Sequence, residues 1–346
     1  MSVKQVGPQT PHTARLPGWP DDEAIRLHTI LFGYLPSAAV FSAVELGLFD
    51  VLEERPGTEE EVATSLNLAD RPARTLLLAL LGARLVERVD GAYHNTPVVS
   101  KYLVSTSPYY IEELVTHQAG HLAKVSQLTK VLRENAPVPS EMDGNYPRFG
   151  GPVRLAGVTR VSGRMMMADG LVKNAPLGKA KRLVDLGAGS GIYSISLAQG
   201  FPKLHVTAVE QPWFAEVIQK TVDELGLSDR ITVQAGDIFT ERFDCDVAML
   251  SNVVEGYGEV RAKALLRHIH DWLPPGGQLL FHSHQWEPAA THFPYTLGLI
   301  LMLNSTMGGE PHGSEVTTRW LTEAGFTTVE PAVPVSPISA LIRAFK

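Results

Sequence analysis

From about Asp21 to Val104 apolar residues recur at intervals of three and four, the spacing of amphipathic helices. LHTILFGYLPSAAVFSAVELGLFDVL carries this pattern, with Gly47 near a helix end. Thr58 follows Pro56-Gly57 and precedes Glu61, a capping-box pattern that predicts a new helix through EEEVATSLNL. DRPARTLLLALLGARLVERV predicts a further helix, and DGAYHNT has the Asp-Gly turn of a small hairpin. Short helices closed by a hairpin predict a winged-helix-like module over residues 21–107. Residues 108–178 predict a helical linker: IEELVTHQAGHLAKVSQLTKVLREN is amphipathic, GRMMMADGLVKN ends a second helix, and APVPSEMDGNYPRFGGP between them is loop-like. From Arg182 the pattern changes. KRLVDLGAG, LHVTAVEQ, ITVQAGDIF, DVAMLSNVV and GGQLLFHSH are short apolar runs separated by amphipathic stretches. Alternating strand and helix predicts an α/β domain over 179–346, a Rossmann-like parallel sheet wound on both faces, whose ligands bind at the carboxyl ends of the strands.

Composition changes the picture in a few places. The chain has 346 residues and a net charge of −7, from 30 Lys and Arg against 37 Asp and Glu. Such a chain lacks the basic excess that neutralising phosphates requires, so nucleic acid is not expected as a partner. The helix from Arg71 to Leu85 is Leu-rich with few basic residues, whereas a helix that reads DNA carries Arg or Lys outward. The apolar surplus of the first helical stretch (Leu31, Phe32, Leu35, Phe41, Leu46, Phe49) exceeds what a small module buries alone and predicts a subunit interface, hence a homodimer. Cys245, the single cysteine, excludes an internal disulfide and fits a reducing compartment. Residues 1–20 read as a flexible tail without the apolar stretch of a signal peptide, and the run Tyr295–Leu303 is too short to cross a bilayer. A cytoplasmic protein with no membrane partner is expected.

The candidate chemistry begins at Val184-Asp185-Leu186-Gly187-Ala188-Gly189-Ser190-Gly191, where the first strand meets the first helix. A glycine-rich turn lets the backbone approach a ligand closely, and dinucleotide folds carry a related G-x-G-x-x-G here. Glu210 ends the next strand, placed to accept both hydroxyls of a ribose, and Asp237 ends the third strand in Ala235-Gly236-Asp237-Ile238-Phe239. A carboxylate before the turn repels pyrophosphate but suits the ammonium and sulfonium charges of S-adenosylmethionine.

VDLGAGSG, the glutamate-ended second strand, AGDIF and LPPGGQLL resemble class I S-adenosylmethionine-dependent methyltransferases. VELGLFDVL, EEEVATSLNL, LLLALLGARLVERVDGAYHNT and the terminal EAGF resemble, more narrowly, the small-molecule O-methyltransferase group that includes plant phenolic, acetylserotonin and bacterial antibiotic-pathway enzymes. The resemblance spans about residues 30–346 and implies a small-molecule acceptor and an N-terminal dimerisation domain. It also implies that Asp185, Gly187 and Gly189 cradle the methionine part of the donor, that Glu210 holds the ribose, that Asp237 and Ile238 border the adenine, and that Ser251 and Asn252 face the methionine end.

The chain departs from this group at the end of the fourth strand. The group has an NVLHDW-like segment whose histidine is the general base; here it reads Asn252-Val253-Val254-Glu255-Gly256-Tyr257. Alternation sends His282 and His284 to one side of the fifth strand with Ser283 opposite. His312 lies where relatives carry a GG-x-ERT-like segment beside the acceptor. Three readings of Glu255, His284 and His312 stay open: polar or structural lining, a displaced base (His284 or His312) assisted by Glu255, or a two-His, one-carboxylate site for Fe or Zn, as in relatives that C-methylate 2-oxo acids. Met165, Met166 and Met167 fit either an apolar acceptor wall or the core, where helical Met usually sits. The expected reaction is methyl transfer from S-adenosylmethionine to an oxygen or carbon of a small aromatic or 2-oxo acid molecule in secondary metabolism. A non-catalytic S-adenosylmethionine-binding regulator and a nicotinamide dehydrogenase are the competing classes, the latter disfavoured by the GxGxG spacing.

Overall fold

Glycines punctuate the first helical stretch. The computed structural model describes residues 22–107, 109–138, 164–175, 177, 179–284, 293–304, 308–336 and 339–346, so the tail expected over 1–20 and most of the Pro- and Gly-rich loop lie outside the described residues. Gly33 and Gly47 divide one apolar stretch into α1 (Asp22–Phe32), α2 (Tyr34–Glu45) and α3 (Leu48–Glu54). The capping box holds: Thr58 accepts from the Glu61 N–H and its own N–H donates to the Glu61 carboxylate, opening α4 (Glu59–Ser65). α5 (Asp70–Gly82) leads into β1 (Val86–Val89) and β2 (Ala92–Asn95), joined through Asp90 and Gly91, both at positive φ as the tight hairpin turn requires. α6 (Pro97–Tyr102) comes next. Leu48, Phe49, Leu77, Leu80 and Tyr93 form the core of this part. Outside that core, Ile25, Leu27, Ile30, Leu31, Phe32 and Leu35 are exposed. The stretch Ile25–Glu45 is long and apolar enough by composition to cross a membrane, unlike the shorter run Tyr295–Leu303.

The chain divides into two compact units after Glu112. The second contains the linker helices α7 (Glu112–Val125), α8 (Leu128–Glu134) and α9 (Arg164–Asn174) together with the sheet. Its remaining elements are β3 (Arg182–Leu186), α10 (Ile192–Gly200), β4 (His205–Glu210), α11 (Pro212–Glu224), β5 (Ile231–Ala235), β6 (Val247–Ser251), a 3-10 turn at Val254–Gly256, α12 (Glu259–Trp272), β7 (Gln278–His284), α13 (Phe293–Asn304), α14 (Ser314–Ala324), β8 (Thr328–Val329), β9 (Val333–Ser336) and β10 (Ser339–Phe345). Each of the five strands read from the sequence falls where its apolar run does.

The strand order is β5-β4-β3-β6-β7-β10-β8, with β9 beside β10. The pairs β5-β4, β4-β3, β3-β6 and β6-β7 are parallel and β10 runs antiparallel to β7. The parallel strands are apolar because helices cover both faces: Leu183, Val206, Ile218 and Leu197 belong to one buried cluster, Val184, Leu250, Leu266 and Phe281 to the other. Chain order reverses between β3 and β6, and a crevice opens there at the carboxyl ends of the strands. Met167 is buried in the first of these clusters, so it is core rather than acceptor wall; the Met165 and Met166 side chains lie outside the described residues.

The turn after β3 requires glycine at 187. Its φ is +76°, and a Cβ there would stand 2.9 Å from Val253 Cγ2. Gly187→Ala is therefore expected to lose about 1–2 kcal/mol from the left-handed backbone alone and to displace Val253. Urea unfolding checks this, and an unchanged midpoint would count against it.

Candidate active site

A cavity of about 520 Å³ opens at the carboxyl ends of the parallel strands. Gly187, Gly189, Glu210, Asp237, Ile238, Ser251 and Asn252 all line it, together with Trp213, Phe239, Val253, Tyr257 and Arg261. The exception among the expected donor residues is Asp185. It is fully buried beneath the turn and is not part of the lining. The reason is its place on a central strand: the glycine turn folds over it, and Ser194 of α10 donates to its Oδ2 at 2.6 Å while Oδ1 is buried without a partner.

The N–H groups of the glycine turn are committed internally. Gly187 and Ala188 both donate to the Val209 carbonyl, and Gly191 donates to Ala188. Gly189 donates to Glu210 Oε2 at 2.8 Å, while Gln211 donates to Glu210 Oε1 at 2.8 Å. A pyrophosphate needs such N–H groups open toward it. Here a carboxylate already occupies the turn. Burial pushes Glu210 up, with the Gln211 and Gly189 N–H groups opposing. Burial pushes Asp185 up to about 7, the Ser194 hydrogen bond opposing and the charge of Glu210 adding. Two carboxyl groups that resist ionisation, beside a cavity, fit a cationic ligand: a positive charge would relieve both. The residues present thus fit S-adenosylmethionine and not a dinucleotide.

The far rim of the cavity is aromatic. Phe239 and Tyr257 meet edge to face at 5.1 Å, and the Arg261 guanidinium lies over both rings, at 4.5 and 4.9 Å. Asp237 Oδ1 accepts from the Phe239 N–H at 2.9 Å, which shapes the turn before it. The sequence reading missed Phe239 and Arg261; only the adjoining AGDIF run and the departure at Tyr257 pointed toward them.

Glu255 and His284 come together. Glu255 sits in the 3-10 turn beyond β6, 4% exposed, and its Oε1 accepts from the Ser283 hydroxyl and the His284 N–H, both at 2.9 Å, with His284 Nδ1 at 3.3 Å. Its Oε2 is buried without a partner. Burial raises this carboxyl, but the hydrogen bonds and charge of His284 outweigh it and hold Glu255 well below the usual carboxylate range. His282 has other partners: the Ser251 and Ser339 hydroxyls at 3.3 and 3.1 Å. Ser283, expected on the opposite side, reaches Glu255 with His284 because that carboxylate arrives past the end of the strand.

His312 does not join them. Its ring packs edge-on against Trp320 at 4.4 Å and bonds to the Tyr257 backbone, and its Nε2 is buried without a partner. Burial lowers its pKa, with nearby acidic groups opposing. Among the described residues no three His, Cys, Asp or Glu side chains form a set that could hold a metal ion. Of the three readings left open for Glu255, His284 and His312, the Fe or Zn site does not fit the described geometry: one Glu255 oxygen is taken by Ser283 and His284, and the His312 ring is turned onto tryptophan.

A second cavity, about 600 Å³, lies between the end of α8, α13 and the segment Gly308–Pro311. Gly308 bridges Tyr257, and a Cβ on Gly309 would stand 2.5 Å from the Glu255 carbonyl. Residues 255–257 thus form a thin wall, with the first cavity against Gly256 and Tyr257 and the second against Gly308 and Gly309.

The raised Asp185 pKa has a signed consequence. The native state holds this proton more tightly than the unfolded chain, so the stability it contributes is full below about pH 4 and lost as pH rises to about 7. Asp185→Asn removes the buried charge and keeps an acceptor for Ser194. The variant's Tm advantage over the unsubstituted protein should grow from pH 5 to 7 and stay level above; an advantage independent of pH would refute the assignment.

The O-methyltransferase domain family matches residues 156–327, and the O-methyltransferase dimerisation domain family matches residues 28–105. The exposed apolar residues of α1 and α2 thus fall largely within a dimerisation domain. The chain is 29% identical over 339 residues to the tetracenomycin polyketide synthesis 8-O-methyl transferase TcmO of Streptomyces glaucescens, covering 95% of this chain and 97% of that one. It is 30% identical over 267 residues to the L-tyrosine C(3)-methyltransferase of Streptomyces lavendulae, covering 73% of each. Human N-acetylserotonin methyltransferase, solved in complex with S-adenosylmethionine, shares the fold with a TM-score of 0.81 at 21% identity, over 95% of this chain and 99% of that one. Together with a donor cavity built for a cation, these matches place the chain in the O-methyltransferase family of S-adenosylmethionine-dependent methyltransferases.

Proposed function

We infer that this enzyme methylates a hydroxyl oxygen of a small aromatic molecule, with His284 as the base and Glu255 as the group that orients it. The observation that carries the reading is the buried Glu255–His284 pair, which joins the 3-10 turn after β6 to the end of β7 beside the cavity-lining Gly256 and Tyr257. A carboxylate on Nδ1 fixes the imidazole tautomer and stabilises the imidazolium formed when the ring takes a proton. Glu255, held ionised, is itself too weak a base for a phenol. Burial lowers the pKa of His312 and leaves its Nε2 enclosed without a partner, so this ring is not assigned the base role.

The donor, when bound, supplies an electrophilic methyl group on a positively charged sulfur. Glu210 and the glycine turn would hold its ribose and amino-acid parts, and Asp185 would add negative potential from beneath. Asp237, Ile238, Phe239 and Tyr257 would hold the adenine. The acceptor would occupy the second cavity, where Leu299 and Met302 supply apolar surface. The chain's contribution is alignment, water exclusion and removal of one proton. The similarity to a polyketide O-methyltransferase supports a phenolic acceptor in secondary metabolism, while the tyrosine C-methyltransferase shows related chains acting at carbon. We read the enzyme as a cytoplasmic homodimer.

Turnover of phenolic polyketide-like acceptors, read as S-adenosylhomocysteine formed, tests the activity. Glu255→Gln and His284→Ala should each lower kcat on the order of 10²-fold while leaving the Kd for S-adenosylhomocysteine nearly unchanged. Equal rates would end the base assignment. For the homodimer, Leu31→Asp with Leu35→Asp should give a monomer in light scattering with the fold intact by circular dichroism; a persistent dimer would move the interface elsewhere.

A further inference from the structure

At the end of β6 the chain turns through Asn252, whose φ is +54°. Residues with a Cβ avoid this left-handed region, and Asn is among the few that tolerate it when its side chain is held locally. Here the hold is a single bond. Asn252 Nδ2 donates to the Tyr193 hydroxyl at 2.8 Å, and Oδ1 is buried without a partner. Among the described residues the tyrosine is therefore the amide's only hydrogen-bond partner.

Tyr193 is itself fixed. It is 2% exposed on the first turn of α10, directly after the glycine turn, and its ring stands edge-on to His282 with centroids 5.4 Å apart. The Ser251 and Ser339 hydroxyls hold His282, and Ser336 bonds Ser339 at 2.8 Å. The β9–β10 edge of the sheet thus braces the ring that steadies the bend. The bend in turn aims the residues on either side of it: Val253 packs on Gly187 across the cavity floor, and Ser251, Asn252 and Val253 are cavity wall.

We propose that Tyr193 is a positioning residue for the amino-acid end of the methyl donor: its hydroxyl holds Asn252 in the left-handed bend that shapes this end of the cavity. The adenine end, built from Asp237, Phe239 and Tyr257, does not depend on it. The proposal rests on S-adenosylmethionine being the donor, and the experiment separates the two. Calorimetry measures Kd for S-adenosylhomocysteine, which carries the amino-acid end, and for 5′-methylthioadenosine, which lacks it. Tyr193→Phe should weaken S-adenosylhomocysteine about fivefold, the worth of one neutral hydrogen bond, and leave methylthioadenosine unchanged. Asn252→Gly keeps the left-handed bend accessible but removes the amide, so it should show the same selective loss, and adding Tyr193→Phe to it should cost nothing more. Equal weakening of both ligands, no weakening, or additive losses would overturn the proposal. Should the unsubstituted protein bind neither ligand, the donor reading itself falls.

Discussion

The bond from the Gly189 N–H to Glu210 decides what the crevice can hold. It joins the turn after β3 to the end of β4, so the loop takes its shape from a carboxylate of its own fold. A turn that hands its N–H groups to a carboxylate and a carbonyl has few left for phosphate. What it presents is a pair of carboxyl groups whose ionisation burial opposes and a cationic ligand would favour. The preference for a cation over a pyrophosphate thus stems from one backbone hydrogen bond and from the register that brings Glu210 beside the turn.

That arrangement is strained in electrostatic terms. Asp185 and Glu210 are each disfavoured as carboxylates by burial, and the charge of Glu210 adds to the cost at Asp185. A fold selected for stability alone would place an apolar residue at 185, as at neighbouring Val184 and Leu186. A local conflict of this kind in an otherwise consistent core is characteristic of binding sites, where a ligand supplies the missing charge.

The backbone of residues 255–257 lies between residues that line the two cavities. This segment packs against Gly308 and Gly309, its one acidic side chain turns inward to His284, and Tyr257 faces the aromatic rim. The substitution of glutamate for the group's histidine changes how a base would be supplied. The imidazole comes from β7 and the carboxylate from the 3-10 turn, so the pair is assembled across two elements.

Much of this was legible in the sequence. Apolar runs ending in Asp185, Glu210, Ser251 and His284 located the parallel strands, because strands buried on both faces must be apolar until they reach the ligand-bearing edge. The capping box at Thr58 and the Asp90-Gly91 turn were equally plain, since each depends on residues a few positions apart. Tertiary structure alone decided what depends on distant segments meeting. It placed Asp185 under the cavity floor, separated His282 from His284, turned His312 onto Trp320 and so dissolved a metal site that spacing had allowed, and tied Tyr193 to Asn252. Periodicity reports which face a residue occupies; the partner it finds there depends on strand order and on how far each loop reaches beyond the sheet.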